Sequence, residues 1–162
     1  MLTLLLTYAA YALPKNLDGI DFTQPKRGTV ILFVSAKCPC SAAHEKSMKK
    51  LHAEMSQDFA FYAIVSNQDE SDELIKTHFQ DFPFPLKQDK GAKIADTFHA
   101  FKTPHAYIVD KQGVILFQGG IDDSHCVEKV HKEHLKTALI QIQNGKKPDP
   151  DSVRVLGCQI NR

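Results

Sequence analysis

Thr29-Val30-Ile31-Leu32-Phe33-Val34-Ser35-Ala36-Lys37-Cys38-Pro39-Cys40-Ser41 is the stretch that decides the fold. Its first six residues form a continuous, apolar, β-branched run, which fits a central strand buried on both faces. Pro39 fits the first position of a helix, where a missing N–H costs nothing. The helical pattern runs on to about Met55, with Met48, Leu51 and Met55 at helical spacing and Glu45, Lys46, Lys49 and Lys50 on the other face. Cys38 therefore falls at or near the N-cap, before free backbone N–H groups and the positive end of the helix dipole. Both favour thiolate, the nucleophilic form of cysteine. A disulfide closed across Cys38-Pro39-Cys40 would be strained and easily reduced. The pattern predicts redox chemistry at this turn rather than a structural staple.

Downstream, Phe59–Val65 reads as a second buried strand, residues 71–79 as a short helix, 82–86 as extended chain held by two prolines, and 91–98 as another helix. Residues 105–110 and 114–117, joined by Lys111-Gln112-Gly113, read as a hairpin. A long helix is expected from about Ser124 to Gln143, apolar at Val127, Leu135, Ala138, Leu139 and Ile142 and stopped by Asn144-Gly145 and Pro148. A βαβ half implies parallel strands and a right-handed crossover, and a ββα half adds an antiparallel hairpin. The expected fold class is α/β, a central mixed β-sheet flanked by helices on both faces.

The chain has 162 residues, enough for one domain with a full core. Twenty Lys and Arg against nineteen Asp and Glu give a net charge of +1, and the arginines are Arg27, Arg154 and Arg162 alone. That balance offers no general attraction to nucleic acid or to an acidic membrane surface. Residues 1–12 are apolar, uncharged and end in Ala10-Tyr11-Ala12, too short to span a bilayer and similar to a secretory signal without its basic start. The expected division is a signal-like segment at 1–12, a domain at 13–145 and a tail at 146–162 carrying Cys158. The expected location is the bacterial periplasm or the exterior, or the cytoplasm if the segment is not a signal.

The motifs resemble those of the thioredoxin superfamily, and within it the bacterial redoxin group related to alkyl hydroperoxide reductase and thiol-specific antioxidant proteins. The resemblance rests on Val34–Ser41 as the active-site turn, on Phe101-Lys102-Thr103-Pro104-His105 before the hairpin, on Gly119-Gly120-Ile121-Asp122-Asp123 after it, and on Gly157-Cys158 near the C-terminus. It implies a thioredoxin-like fold, a cis Pro104 against Cys38, and substrate contacts at Thr103, Pro104 and His105. It also implies a thiol-disulfide oxidoreductase or thiol-dependent peroxidase with antioxidant activity. The partners would be a disulfide-containing protein or a peroxide and a thiol electron donor, with no cofactor and no membrane insertion of the mature domain. Ser41 stands at the usual second-cysteine position, Leu32 at that of the thioredoxin buried acid, and Ile31 and Ser35 at positions where peroxiredoxins carry Pro and Thr or Ser.

Three cysteines are candidate partners for Cys38. Cys40 is nearest, Cys158 is favoured by the Gly-Cys resemblance, and Cys126 reads as a free thiol packed as a small hydrophobe. The alternative to redox catalysis is a copper- or metal-handling role using Cys38, Cys40 and His44, since two thiolates and an imidazole one helical turn away suit Cu(I) or Zn. A noncatalytic binding domain on the same fold is the third reading.

Overall fold

The computed structural model describes residues 12–125 and 127–162. Cys126 and residues 1–11 of the signal-like segment lie outside the described residues. The elements in chain order are β1 (Asn16–Leu17), β2 (Ile20–Asp21), β3 (Gly28–Val34), α1 (Pro39–Met55), β4 (Phe59–Val65), α2 (Asp72–His78), β5 (Leu86–Gln88), α3 (Lys93–Phe98), β6 (Lys102–Thr103), β7 (His105–Val109), β8 (Ile115–Gly119), α4 (His134–Gln143) and β9 (Cys158–Gln159).

The fold is α/β and thioredoxin-like. Five strands form one mixed sheet in the order β5-β4-β3-β7-β8. β3 runs parallel to β4 and antiparallel to β7, with Val30 opposite Phe61 on one side and Ile108 on the other. All seven residues of β3 are buried, as expected of a strand covered on both faces. Its side chains alternate between two cores. Val30, Leu32 and Val34 pack with Met48, Leu51 and Met55 of α1 and Leu135, Leu139 and Ile142 of α4. Ile31 and Phe33 pack on the other face with Ile94, Ala95 and Phe98 of α3, Tyr107, and Ile160 of the tail. Each fully buried side chain of this size is worth about 1.5–3 kcal/mol, so β3 anchors the turn that follows it.

The expected long helix from Ser124 is shorter: a single 3₁₀ turn spans Val127–Lys129, and α4 begins only at His134. Val130 is the lone apolar residue between Val127 and Leu135, so a helix there would have little to bury. Asp123 instead closes a loop, its carboxylate accepting from the backbone N–H groups of His131 (2.9 Å) and Lys132 (3.1 Å).

The tail does not leave the domain. Gln118 N–H donates to Asp151 O and Val153 N–H to Gln118 O, along the free edge of β8. A side chain at Gly119 would meet Val153 Cγ2 at 2.2 Å, and one at Gly120 would meet Arg154 O at 2.9 Å, so these glycines admit the tail. It then crosses to β6, where β9 pairs antiparallel with Thr103 opposite Cys158. Among the described residues, no helix is long and apolar enough to cross a membrane.

Candidate active site

β3 delivers the turn 35–38 to the sheet's carboxyl edge, and α1 starts at Pro39 with Cys38 as its N-cap. The turn is braced by a buried carboxylate on a distant segment. Glu70 accepts from the Ser35 hydroxyl, from Ala36 N–H at 2.9 Å and from Asn67 Nδ2 at 2.7 Å. Ser41 is fully buried, and its hydroxyl accepts from Ser35 N–H at 3.2 Å. The residue at the usual second-cysteine position thus clamps the turn.

Cys38 is only 2% exposed, and its thiol donates to the Thr103 carbonyl at 3.1 Å. The Thr103–Pro104 peptide is cis. β9 pins Cys158 beside the same carbonyl. A side chain at Gly157 would stand 2.0 Å from Thr103 O, with φ +154, so only glycine brings the tail this close. The sulfurs of Cys38, Cys40 and Cys158 lie within 4.8 Å of one another, and all three thiols are free.

Burial pushes the Cys38 thiol up. Hydrogen bonds to its sulfur from the side chains of Cys158 and Thr103 and from the backbones of Ser41 and Cys158 outweigh that and bring it down to about 7. The Thr103 hydroxyl is buried and has no competing partner, so the thiolate is the acceptor available to it. Cys158 moves the other way, to about 12, through burial, its hydrogen bond to Cys38 and repulsion from the Cys38 and Cys40 charges. Cys40 is also raised, by burial and by the Cys38 charge. One thiolate therefore faces two thiols that stay protonated near neutral pH.

Two expected site residues stand apart from this cluster. His44 is buried, with Nδ1 on the Cys40 carbonyl at 2.7 Å and Nε2 on the Asp122 carboxylate at 2.9 Å. Both nitrogens face oxygen, so His44, expected as a third member of a Cys38 and Cys40 set, stands apart from the group of three sulfurs. His105 is buried, lies over the Tyr107 ring at 4.4 Å, and is held down to about 4 by desolvation. Sequence reasoning missed Glu70, Asn67 and His125, whose Nδ1 is 3.5 Å from Cys40 Sγ. Each comes from a segment far from residue 38 in the chain, and their residue types alone carry no signal of the contact.

Solved structures with this architecture include an uncharacterised conserved protein from Geobacillus kaustophilus, with 26% identity, 86% of this chain and 79% of that chain covered, and a TM-score of 0.77. A hypothetical protein from Sinorhizobium meliloti 1021 has 23% identity, 83% and 79% coverage and a TM-score of 0.75. A thioredoxin-like protein solved in its oxidised form has 16% identity, 75% and 81% coverage and a TM-score of 0.63. No curated protein matches the chain. The AhpC/TSA family model matches residues 14–118, from the N-terminal hairpin through β8 and so including Cys38, Cys40 and Thr103, and the chain belongs to the AhpC/TSA family.

Proposed function

We propose that the protein is a thiol-dependent oxidoreductase in which Cys38 is the nucleophile and Cys158 the resolving thiol. The observation that carries this reading is the β6–β9 pairing, which holds Cys158 against the carbonyl that also touches Cys38. The Cys38 thiolate attacks the oxidant. A hydroperoxide gives a Cys38 sulfenic acid and an alcohol or water; a disulfide gives a mixed disulfide and a free thiol. Cys158 then attacks the Cys38 sulfur, its proton passing to the leaving hydroxide or thiolate, and a Cys38–Cys158 disulfide remains. An external dithiol donor returns two electrons and two protons.

Two features favour small oxidants over folded polypeptides. β6 already has a backbone partner in β9, so an extended substrate chain finds no free edge beside the sulfur. Cys38 is almost wholly buried, which a peroxide tolerates better than a protein disulfide does. Thr103 and Pro104 act here as the wall of the thiol site. The test pairs peroxide consumption with insulin-disulfide reduction, using Cys38→Ser and Cys158→Ser controls, and maps the disulfides of the oxidised protein by mass spectrometry. Peroxide consumption lost in Cys38→Ser, together with a Cys38–Cys158 disulfide in the wild type, is the expected result. A wild-type Cys38 that stays unpaired and unmodified after oxidant treatment would sink the reading.

A further inference from the structure

We propose that the reduced protein binds one soft monovalent d10 cation, Cu(I), through Cys38, Cys40 and Cys158 as a three-thiolate site. Three sulfurs within 4.8 Å of one another are near what such an ion needs: metal–sulfur bonds of about 2.3 Å in a plane put the sulfurs about 4.0 Å apart. Closing the cluster takes shifts of about half an ångström or less per side chain, by the same bond length. The donors stand on two braced frames. The first turn of α1 supplies Cys38 and Cys40, and β9 supplies Cys158 through its pairing with Thr103.

The donor set selects the ion. Thiolates prefer Cu(I) and Zn(II) among the common metals, and Zn(II) asks for a fourth ligand. The nearby oxygen and nitrogen groups that could complete a harder site are occupied. The Glu70 carboxylate holds the turn at Ser35 and Ala36, and His44 spans the Cys40 carbonyl and Asp122. His125 touches Cys40 from an exposed loop, which leaves the rigid part of the site all sulfur. Binding replaces the thiol protons by the ion and releases them to solvent; copper remains Cu(I) and no sulfur is oxidised. The same thiols cannot hold the ion once two of them are joined as a disulfide, so metal loading and oxidation exclude each other. This assignment rests on the geometry of three reduced thiols and not on the oxidoreductase reading: a protein inert toward peroxide and disulfides would still bind the ion.

The test is an anaerobic titration of the reduced, full-length protein with Cu(I) in competition with a chromogenic Cu(I) chelator. The expected result is one ion per chain with an ultraviolet thiolate-to-copper charge-transfer band. Cys158→Ser and Cys40→Ser should each hold copper at least about 100-fold more weakly, the upper end of what even outer partners of a metal ligand cost. His125→Ala should keep the stoichiometry and the band. Far-ultraviolet circular dichroism of each variant separates a lost ligand from a lost fold, and two independent cysteine variants keep the test open if one of them unfolds. Wild-type-like retention by both cysteine variants, failure of the wild type to bind one equivalent, or a band that requires His125 would overturn the assignment.

Discussion

Cys38 is set apart from the other thiols by what points at its sulfur. Burial alone would make it a poor nucleophile, yet donors from the first turn of α1, from Thr103 and from the tail converge on it and bring it to about 7. Ultraviolet thiolate absorbance should therefore show a first step with its midpoint near pH 7, thiolate forming as pH rises, well before Cys40 and Cys158 ionise. Thr103→Val removes a donor to the thiolate and should move that midpoint up by about one unit. A wild-type first step at the ordinary cysteine value of about 8.5 would contradict the account. His105 gives a second titration, and this one bears on acid stability. Its folded-state value of about 4 lies below the ordinary 6.5 because its site excludes water. Between those values the unfolded chain binds a proton that the folded one refuses, so stability contributed above pH 6.5 is lost as pH falls to 4. The loss is about 3 kcal/mol at full effect. Urea denaturation at pH 7 and pH 4.5 should reveal it, and His105→Phe should flatten that part of the profile; an unchanged profile in the variant would place the acid sensitivity elsewhere.

At the scale of elements, the junction of β6 and β9 matters more than its two-residue strands suggest. Gly157 passes so close to Thr103 O that an alanine must push β9 away. Gly157→Ala should cost about 1–3 kcal/mol and detach Cys158, while leaving the Cys38 turn braced by Glu70 and Ser41. Trapping with a sulfenic-acid reagent after a peroxide pulse should then label Cys38 more persistently than in the wild type; equal labelling would mean that β9 does not position the resolving thiol. This junction also marks where the sequence stops being legible. β3, α1, β4 and the β7–β8 hairpin could be read because period and burial are local properties of a few consecutive residues. The start of α4 could not, because Asp123 folds the 123–132 loop by bonds to backbone N–H groups eight and nine residues on, and no periodicity records that. The N-cap place of Cys38 follows from one proline. The nearness of Cys158 follows only from the Gly-Cys resemblance, since no spacing rule joins residues 38 and 158. Glu70 and the His44–Asp122 pair depend on tertiary contacts, and a lone acid or histidine in a sequence does not announce its partner.

Over the whole molecule, the tail works as a strap that ties the two faces of the sheet to the thiol site. After running along β8 it crosses to β6 and ends in a set of anchors. Ile160 is buried in the α3-side core, Ile160 N–H donates to Phe101 O, and Asn161 N–H donates to Asn67 Oδ1 at 2.7 Å. Arg162 reaches Asp96 at 2.8 Å and the Ala100 carbonyl. Asn67 also holds Glu70, so the strap and the Cys38 turn share a support. A chain ending at Cys158 keeps the proposed resolving thiol and loses all of these anchors. Burial of Ile160 alone is worth about 1.5–3 kcal/mol, and a loss of that size should appear in urea denaturation. The kinetic effect should be larger in kind. An anchored thiol attacks as a pre-oriented neighbour, whereas a free end acts at an effective concentration in the millimolar range. Closure of the Cys38–Cys158 disulfide after a peroxide pulse, followed by rapid quench and mass spectrometry, should therefore slow by at least about tenfold on the same grounds. The first step, peroxide reacting with Cys38, should slow far less, because the α1 N-terminus and Thr103 remain. If the truncated chain closed its disulfide as fast as the full one, the strap would be a stabilising element only, and the resolving geometry would have to come from Gly157 and β6 alone.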